Sequence, residues 1–200
     1  MSNKQLKSVT VFCGSSMGVD PAFEKAAYQM GVQLAASGLR LVYGGAKVGL
    51  MGAVANGALD GGAEVIGVIP RFLSNVELAH KGLTELIVVE SMHERKAKMA
   101  ERSDGFIALP GGFGTLEEVF EILTWGQLAL HQKPVGLLNT LGFYDHLLAL
   151  LDHMVDQGLL KKVNKDMLLV DSSIERLLEK MRSYQPPTEG KWLGGVEKLS

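Results

Sequence analysis

Three glycines in four positions, Gly111, Gly112 and Gly114, precede Thr115 and the adjacent acids Glu117 and Glu118. No other stretch of the chain has types and spacing so well suited to chemistry. The preceding apolar run, Gly105 to Leu109, reads as a buried strand that Pro110 ends. From Thr115 an apolar repeat of helical period continues to Leu130. A glycine-rich turn that delivers a strand onto a helix exposes backbone N–H groups beside the positive end of the helix dipole. That is an anion site, most often one for phosphate. Side chains in the turn would hold a phosphate away from the backbone.

Two readings of Glu118 stand side by side. Thr115 and Glu118 have the spacing of a capping box, which alone explains them as helix punctuation. The other reading gives Glu118 to a ligand, because its helix begins inside the phosphate turn. Met92, Arg95 and Met99 share one helix face at i, i+3, i+7. An arginine among methionines needs a partner if buried, and a phosphate or Glu118 would serve; a surface arginine is the plainer alternative. Gly14-Ser15-Ser16 and Gly44-Gly45-Ala46 are each either a ligand-approach loop or a tight turn.

Other chemistries lack their patterns. No G-x-G-x-x-G, P-loop or G-x-S-x-G sequence occurs, and position 97 is Ala97, which breaks the zincin pattern begun by His93 and Glu94. His146 and His153 lie seven apart with no third ligand nearby, so no metal is expected. Cys13 reads as a small core residue rather than a nucleophile.

The elements that must position these residues alternate. Strands are predicted over Val9–Cys13, Leu39–Tyr43, Glu64–Ile69, Glu85–Val89, Gly105–Leu109, Pro134–Leu138 and Met167–Val170. Helices are predicted from Asp20-Pro21 to Ser37, Leu50 to Leu59, Ser91 to Arg102, Thr115 to Leu130, Tyr144 to Gln157 and Ser172 to Arg182. Asp20 caps the first, with Pro21 at its first position. Ser91 with Glu94, and Ser172 with Glu175, have capping-box spacing. Arg71–Thr84 reads as an irregular connection with one helical turn near Val76 to His80. Alternation of this kind means an α/β fold, a doubly wound (Rossmann-like) parallel sheet with helices on both faces and ligands at the strands' carboxyl ends. One domain is expected over residues 1–182, with a tail over 183–200.

Composition agrees. The chain has 200 residues, 46% of them hydrophobic, and a formal net charge of −2, which gives no basic surface for nucleic acid. Its one cysteine and polar N-terminus, Met1 to Lys7, fit a cytoplasmic protein without signal peptide or membrane span.

The paired stretches Met92-His93-Glu94-Arg95-Lys96 and Pro110-Gly111-Gly112-Phe113-Gly114-Thr115-Leu116-Glu117-Glu118 resemble the LOG ("Lonely guy") family. Phe12-Cys13-Gly14-Ser15, Val42-Tyr43-Gly44-Gly45, Gly49-Leu50-Met51-Gly52, Trp125 and Lys133-Pro134 extend the resemblance over nearly the whole chain. Members are cytokinin riboside 5′-monophosphate phosphoribohydrolases, long labelled lysine decarboxylases. The resemblance implies a homodimer that hydrolyses AMP or N6-modified riboside monophosphates to free base and ribose 5-phosphate, without metal or redox cofactor. It makes Arg95 and Glu118 the catalytic pair, and Gly111, Gly112, Gly114 and Thr115 the phosphate loop. Lys96, Glu77 and Thr124 become substrate contacts, and Gly14, Ser15, Met92, Phe113, Leu116 and Glu117 complete the candidate substrate site. One departure is Ala46, where members commonly have a third glycine; a methyl is tolerable there if the turn avoids positive φ. Pyridoxal chemistry would need a desolvated Schiff-base lysine, and nothing marks Lys96 or Lys47 as one. A non-catalytic nucleotide-binding or carrier module with the same loop is the alternative reading.

Overall fold

The computed structural model describes residues 6–74 and 79–187. Seven strands, β1 (Ser8–Phe12), β2 (Arg40–Tyr43), β3 (Val65–Pro70), β4 (Glu85–Val89), β5 (Gly105–Ala108), β6 (Val135–Leu138) and β7 (Leu168–Asp171), form one sheet. Every pairing is parallel, and the order is β4-β3-β2-β1-β5-β6-β7. The central strand β1 pairs on both sides, Val9 lying opposite Leu41 and Gly105. The chain winds outward from β1 to β4, then returns to start again at β5. The carboxyl ends of β1 and β5 therefore flank the point where strand order reverses, the place where such sheets take ligands.

Both faces of the sheet carry helices, as a buried parallel sheet requires, although the edge strand β4 leaves Leu86 and Val88 exposed. One core lies under α1 (Pro21–Ala36), α2 (Gly49–Asp60) and α8 (Ile174–Ser183), and holds Val11, Met30, Leu34, Leu41 and Leu177. The other lies under α4 (Met92–Glu101), α5 (Phe113–Gln127) and α6 (Asp145–Asp156), and holds Phe12, Val68, Met99, Phe106 and Ile122. Helices α1 and α2 approach so closely that a side chain at Gly57 would strike the Tyr28 carbonyl, and one at Gly31 the Val54 carbonyl. The small residues of α2 follow from that contact. Among the described residues no helix is long and apolar enough to cross a membrane.

Local chemistry explains several boundaries and corrects others. Asp20 accepts a hydrogen bond from Ala22 N–H and Pro21 opens α1, as predicted. Ser91 Oγ accepts from Glu94 N–H, but Glu94 reaches back to Glu90 N–H, one residue before the cap. The last helix is capped by Ser173 rather than Ser172, and Ser173 Oγ accepts from Arg176 N–H. In the connection after β3 a helical turn, α3 (Arg71–Ser74), follows Pro70 directly. The turn predicted near Val76 to His80 falls largely outside the described residues, and His80 itself donates its N–H to the Gly45 carbonyl. Ala46 pairs with Ala79 and does not have positive φ, so its methyl is accommodated. Two short elements were not predicted: a 3-10 turn (Thr140–Gly142) and α7 (Lys162–Lys165).

Candidate active site

The turns after β1 and β5 are stitched together. Leu109 N–H donates to the Phe12 carbonyl at 2.9 Å, and Gly14 N–H to the Pro110 carbonyl at 3.1 Å. Helix α5 begins at Phe113, two residues before Thr115, with Gly112 as its N-cap. Gly112 has no side chain to accept a hydrogen bond, and Leu116 N–H bonds back to the Gly112 carbonyl. The free donors of the first turn thus face the ligand edge of the sheet.

The three loop glycines divide by what surrounds them. A side chain at Gly111 would overlap Thr115 and come within 2.9 Å of Gly14 N. Gly112 and Gly114 face open space, with nothing within 4 Å among the described residues, and neither has positive φ. Internal packing therefore explains Gly111 but not Gly112 or Gly114. Bare backbone at these two positions suits an anion that must approach the N–H groups. Gly114→Ala is expected to leave stability unchanged or raise it by up to about 1 kcal/mol. The same change should weaken AMP binding about tenfold, the loss of one hydrogen bond to a charged group. Thermal melts and calorimetric titration check both; a lowered melting temperature with intact AMP affinity would remove the loop from the binding site.

Starting α5 at Phe113 overturns the capping reading of Glu118. Thr115 and Glu118 both lie within the helix and both are buried. Glu118 instead meets Arg95: Nη1 donates to Oε1 at 2.5 Å, with side chains only 9% and 10% exposed. Arg95 Nε donates to the carbonyl of Val68, in the carboxyl half of β3, 3.1 Å away. The arginine thus crosses the ends of β3 and β2 to join α4 to α5, and the surface-arginine alternative fails. Burial raises the Glu118 pKa above the ordinary 4.5; the charge and hydrogen bond of Arg95 offset this only in part, and Glu117 adds to the rise. Cys13, at the end of β1, is buried. Burial pushes its thiol far up, the Glu118 charge adds to that and Arg95 opposes it, so the thiol keeps its proton.

Lys96 makes a parallel pair of contacts. Its ammonium bonds Glu117 Oε1 and lies 3.0 Å from Glu121 Oε2, with 7% of the side chain exposed. Burial disfavours its charge, but the two carboxylates outweigh that and its pKa stands above the ordinary lysine value. Lys96 is thus desolvated, contrary to expectation, yet held as an ammonium rather than as the free amine a Schiff base needs; Lys47 is exposed. Neither lysine fits pyridoxal phosphate. Glu121 and the Val68 carbonyl are the contacts that sequence did not suggest. Glu121 follows Glu117 at i+4, a usable signal, whereas a backbone acceptor has no side-chain signature.

The other predicted residues scatter more. Ser15 is exposed beside buried Gly14 at the same edge, and Phe113 is 94% exposed at the start of α5. Met92 is exposed on the first turn of α4, while Leu116 packs into the core beneath α5. Thr124 sits three turns along α5, and its hydroxyl donates to the Phe120 carbonyl. Glu77 lies outside the described residues.

Residues 51–181 match a family model described as "Possible lysine decarboxylase". A probable cytokinin riboside 5′-monophosphate phosphoribohydrolase of Oryza sativa subsp. japonica is 49% identical over 88% of this chain and 79% of its own length. A cytokinin riboside 5′-monophosphate phosphoribohydrolase of Arabidopsis thaliana is 43% identical over 93% of this chain and 86% of its own. Among solved structures, a molybdenum cofactor binding protein of Rippkaea orientalis superposes with a TM-score of 0.68 at 27% identity, covering 90% of this chain and 98% of that one. A molybdenum cofactor carrier protein of Chlamydomonas reinhardtii, 22% identical with a TM-score of 0.65 over 88% of this chain and 100% of that one, shares the fold. A model match over most of the chain, and relatives this similar over nearly all of it, show that the chain belongs to the LOG family of cytokinin riboside 5′-monophosphate phosphoribohydrolases.

Proposed function

We propose that this chain hydrolyses the N-glycosidic bond of AMP and of N6-modified (cytokinin) riboside 5′-monophosphates, giving free base and D-ribose 5-phosphate. The observation that carries this reading is the buried Arg95–Glu118 pair beside the uncapped glycine turn of α5. The names of the relatives support it.

The chemistry follows from the arrangement. The 5′-phosphate is held by the N–H groups of Gly112 to Thr115, which fixes the ribose and spends remote binding on orientation. As the C1′–N bond breaks, its electrons leave with the base, which takes up a proton from solvent to become the free base, and positive charge builds on the ribose, as in O-glycoside hydrolysis. The Glu118 carboxylate stabilises that cation, takes the proton of the water attacking C1′ and returns that proton to solvent. Arg95, already engaged by Glu118 and Val68, keeps the carboxylate ionised and aimed instead of gripping the phosphate.

Release of free base and ribose 5-phosphate from AMP and its N6-prenylated analogue, followed chromatographically, tests the proposal. Its acid limb gives a further expectation. Glu118 must be ionised and its pKa is raised, so kcat falls as pH drops and begins to fall above pH 4.5. A limb at or below the ordinary glutamate value would take the role from Glu118. The second reading, a carrier module, is favoured by the likeness to a molybdenum cofactor binding protein. Tight AMP binding without base release from any nucleoside monophosphate would establish it. A carrier has no need of a buried arginine–glutamate pair at the phosphate turn.

A further inference from the structure

The geometry points to Gly44 as a positioning residue that keeps open the slot through which the Arg95 guanidinium reaches Glu118. Gly44 directly follows β2 and is buried. A Cβ placed on it would overlap Arg95 Nη2, lie 3.4 Å from Arg95 Cζ and come within 3.0 Å of Met51 Sδ. The next residue, Gly45, has φ +77° and is a glycine for its own backbone's sake, but Gly44 does not have positive φ. The demand for glycine at position 44 comes from the arginine.

A long flexible side chain would ordinarily yield to one methyl group, but Arg95 has little freedom to do so. Its guanidinium is planar and held at two corners, Nε on the Val68 carbonyl and Nη1 on Glu118, which fixes where Nη2 lies. Moving Nη2 breaks one of those bonds. The backbone of α4 cannot follow easily either, because the neighbouring Lys96 is tied to Glu117 and Glu121 of α5. A methyl at position 44 therefore displaces the charge that serves Glu118 and leaves the phosphate turn untouched.

This inference rests on the hydrolase reading, and its test separates the two. Gly44→Ala should lower kcat for base release from AMP about 100-fold, as a misplacement of about 1 Å can, with AMP affinity nearly unchanged. In an Arg95→Lys background, where Nη2 no longer exists, adding Gly44→Ala should change kcat little. A kcat close to the parent's, or the same large loss in both backgrounds, overturns the inference. If Gly44→Ala does not fold, the double variant decides: a folded double variant supports the clash with Arg95, and an unfolded one shows that the turn itself needs glycine. A readout independent of activity is the Glu118 carboxyl carbon titrated by NMR. Arg95, Glu117 and Lys96 are the groups whose charges act on it, and its own charge acts on the Cys13 thiol. Gly44→Ala should move its titration to higher pH, in the same direction as Arg95→Ala should, and an unmoved titration overturns the inference. A parent protein that releases no base overturns the hydrolase reading alone, and this titration still decides for Gly44.

Discussion

Glu118→Gln is expected to release adenine from AMP at least about 100-fold more slowly than the parent, the usual loss when a general base is removed. AMP affinity should stay close to the parent's. The amide that replaces the carboxylate keeps its volume and can still accept the hydrogen bond from Arg95 Nη1, which limits the stability lost when the arginine's charge is left unpaired; a thermal melt confirms that the variant is folded at the assay temperature. What disappears is the charge that stabilises the ribosyl cation and the basicity that takes the water's proton. The neighbouring Glu117 is the internal control. It is half-exposed and committed to Lys96, so Glu117→Gln should cost far less. Rapid-quench measurement of base release beside calorimetric AMP binding gives both numbers. Equal turnover by Glu118→Gln and the parent would move the catalytic carboxylate elsewhere.

Arg95→Ala is expected to have the largest effect on stability, and that effect depends on pH. Removing one member of a buried pair strands the other, at a cost of about 3–5 kcal/mol. Glu118 can escape that cost by taking up a proton. Its folded pKa is already raised by burial, and losing Arg95 raises it further. The sign follows: a carboxyl with a raised folded pKa favours the folded state below its unfolded pKa, and that advantage is lost as pH rises through the folded value. The variant should therefore approach the parent's stability near pH 4 and fall increasingly behind as the pH rises through 7. Urea unfolding at several pH values measures the gap. A deficit constant with pH would assign the loss to the packing of the arginine stem.

Much of this was legible in sequence because the parallel strands here are short, largely apolar runs, and four of them are closed by Gly14, Gly44, Pro70 and Pro110. Val9–Cys13 and Glu85–Val89 differ from the observed strands by at most one residue at an end. The cap of α1 was legible because Asp20-Pro21 acts locally. Glu118 was ambiguous for a physical reason: the i, i+3 spacing of a capping box is also the spacing of one helix face. Only the true start of α5, set by Gly112, separates the two. The single turn of α7 carries too few residues to show a period. The seat of Arg95 was illegible because its walls, the Val68 carbonyl and the bare Cα of Gly44, are backbone atoms brought together by strand order.

The buried thiol beneath the site has a use of its own. Cys13 is the sole cysteine, lies 7% exposed at the end of the central strand and keeps its proton tightly. A thiol reagent can reach it fully only when the packing around the end of β1 opens. Its labelling rate therefore counts openings of the site floor, without any engineered label. Ligand bound over the phosphate turn should slow that clock by the factor 1 + [AMP]/Kd, which would report occupancy in a variant too slow to turn over.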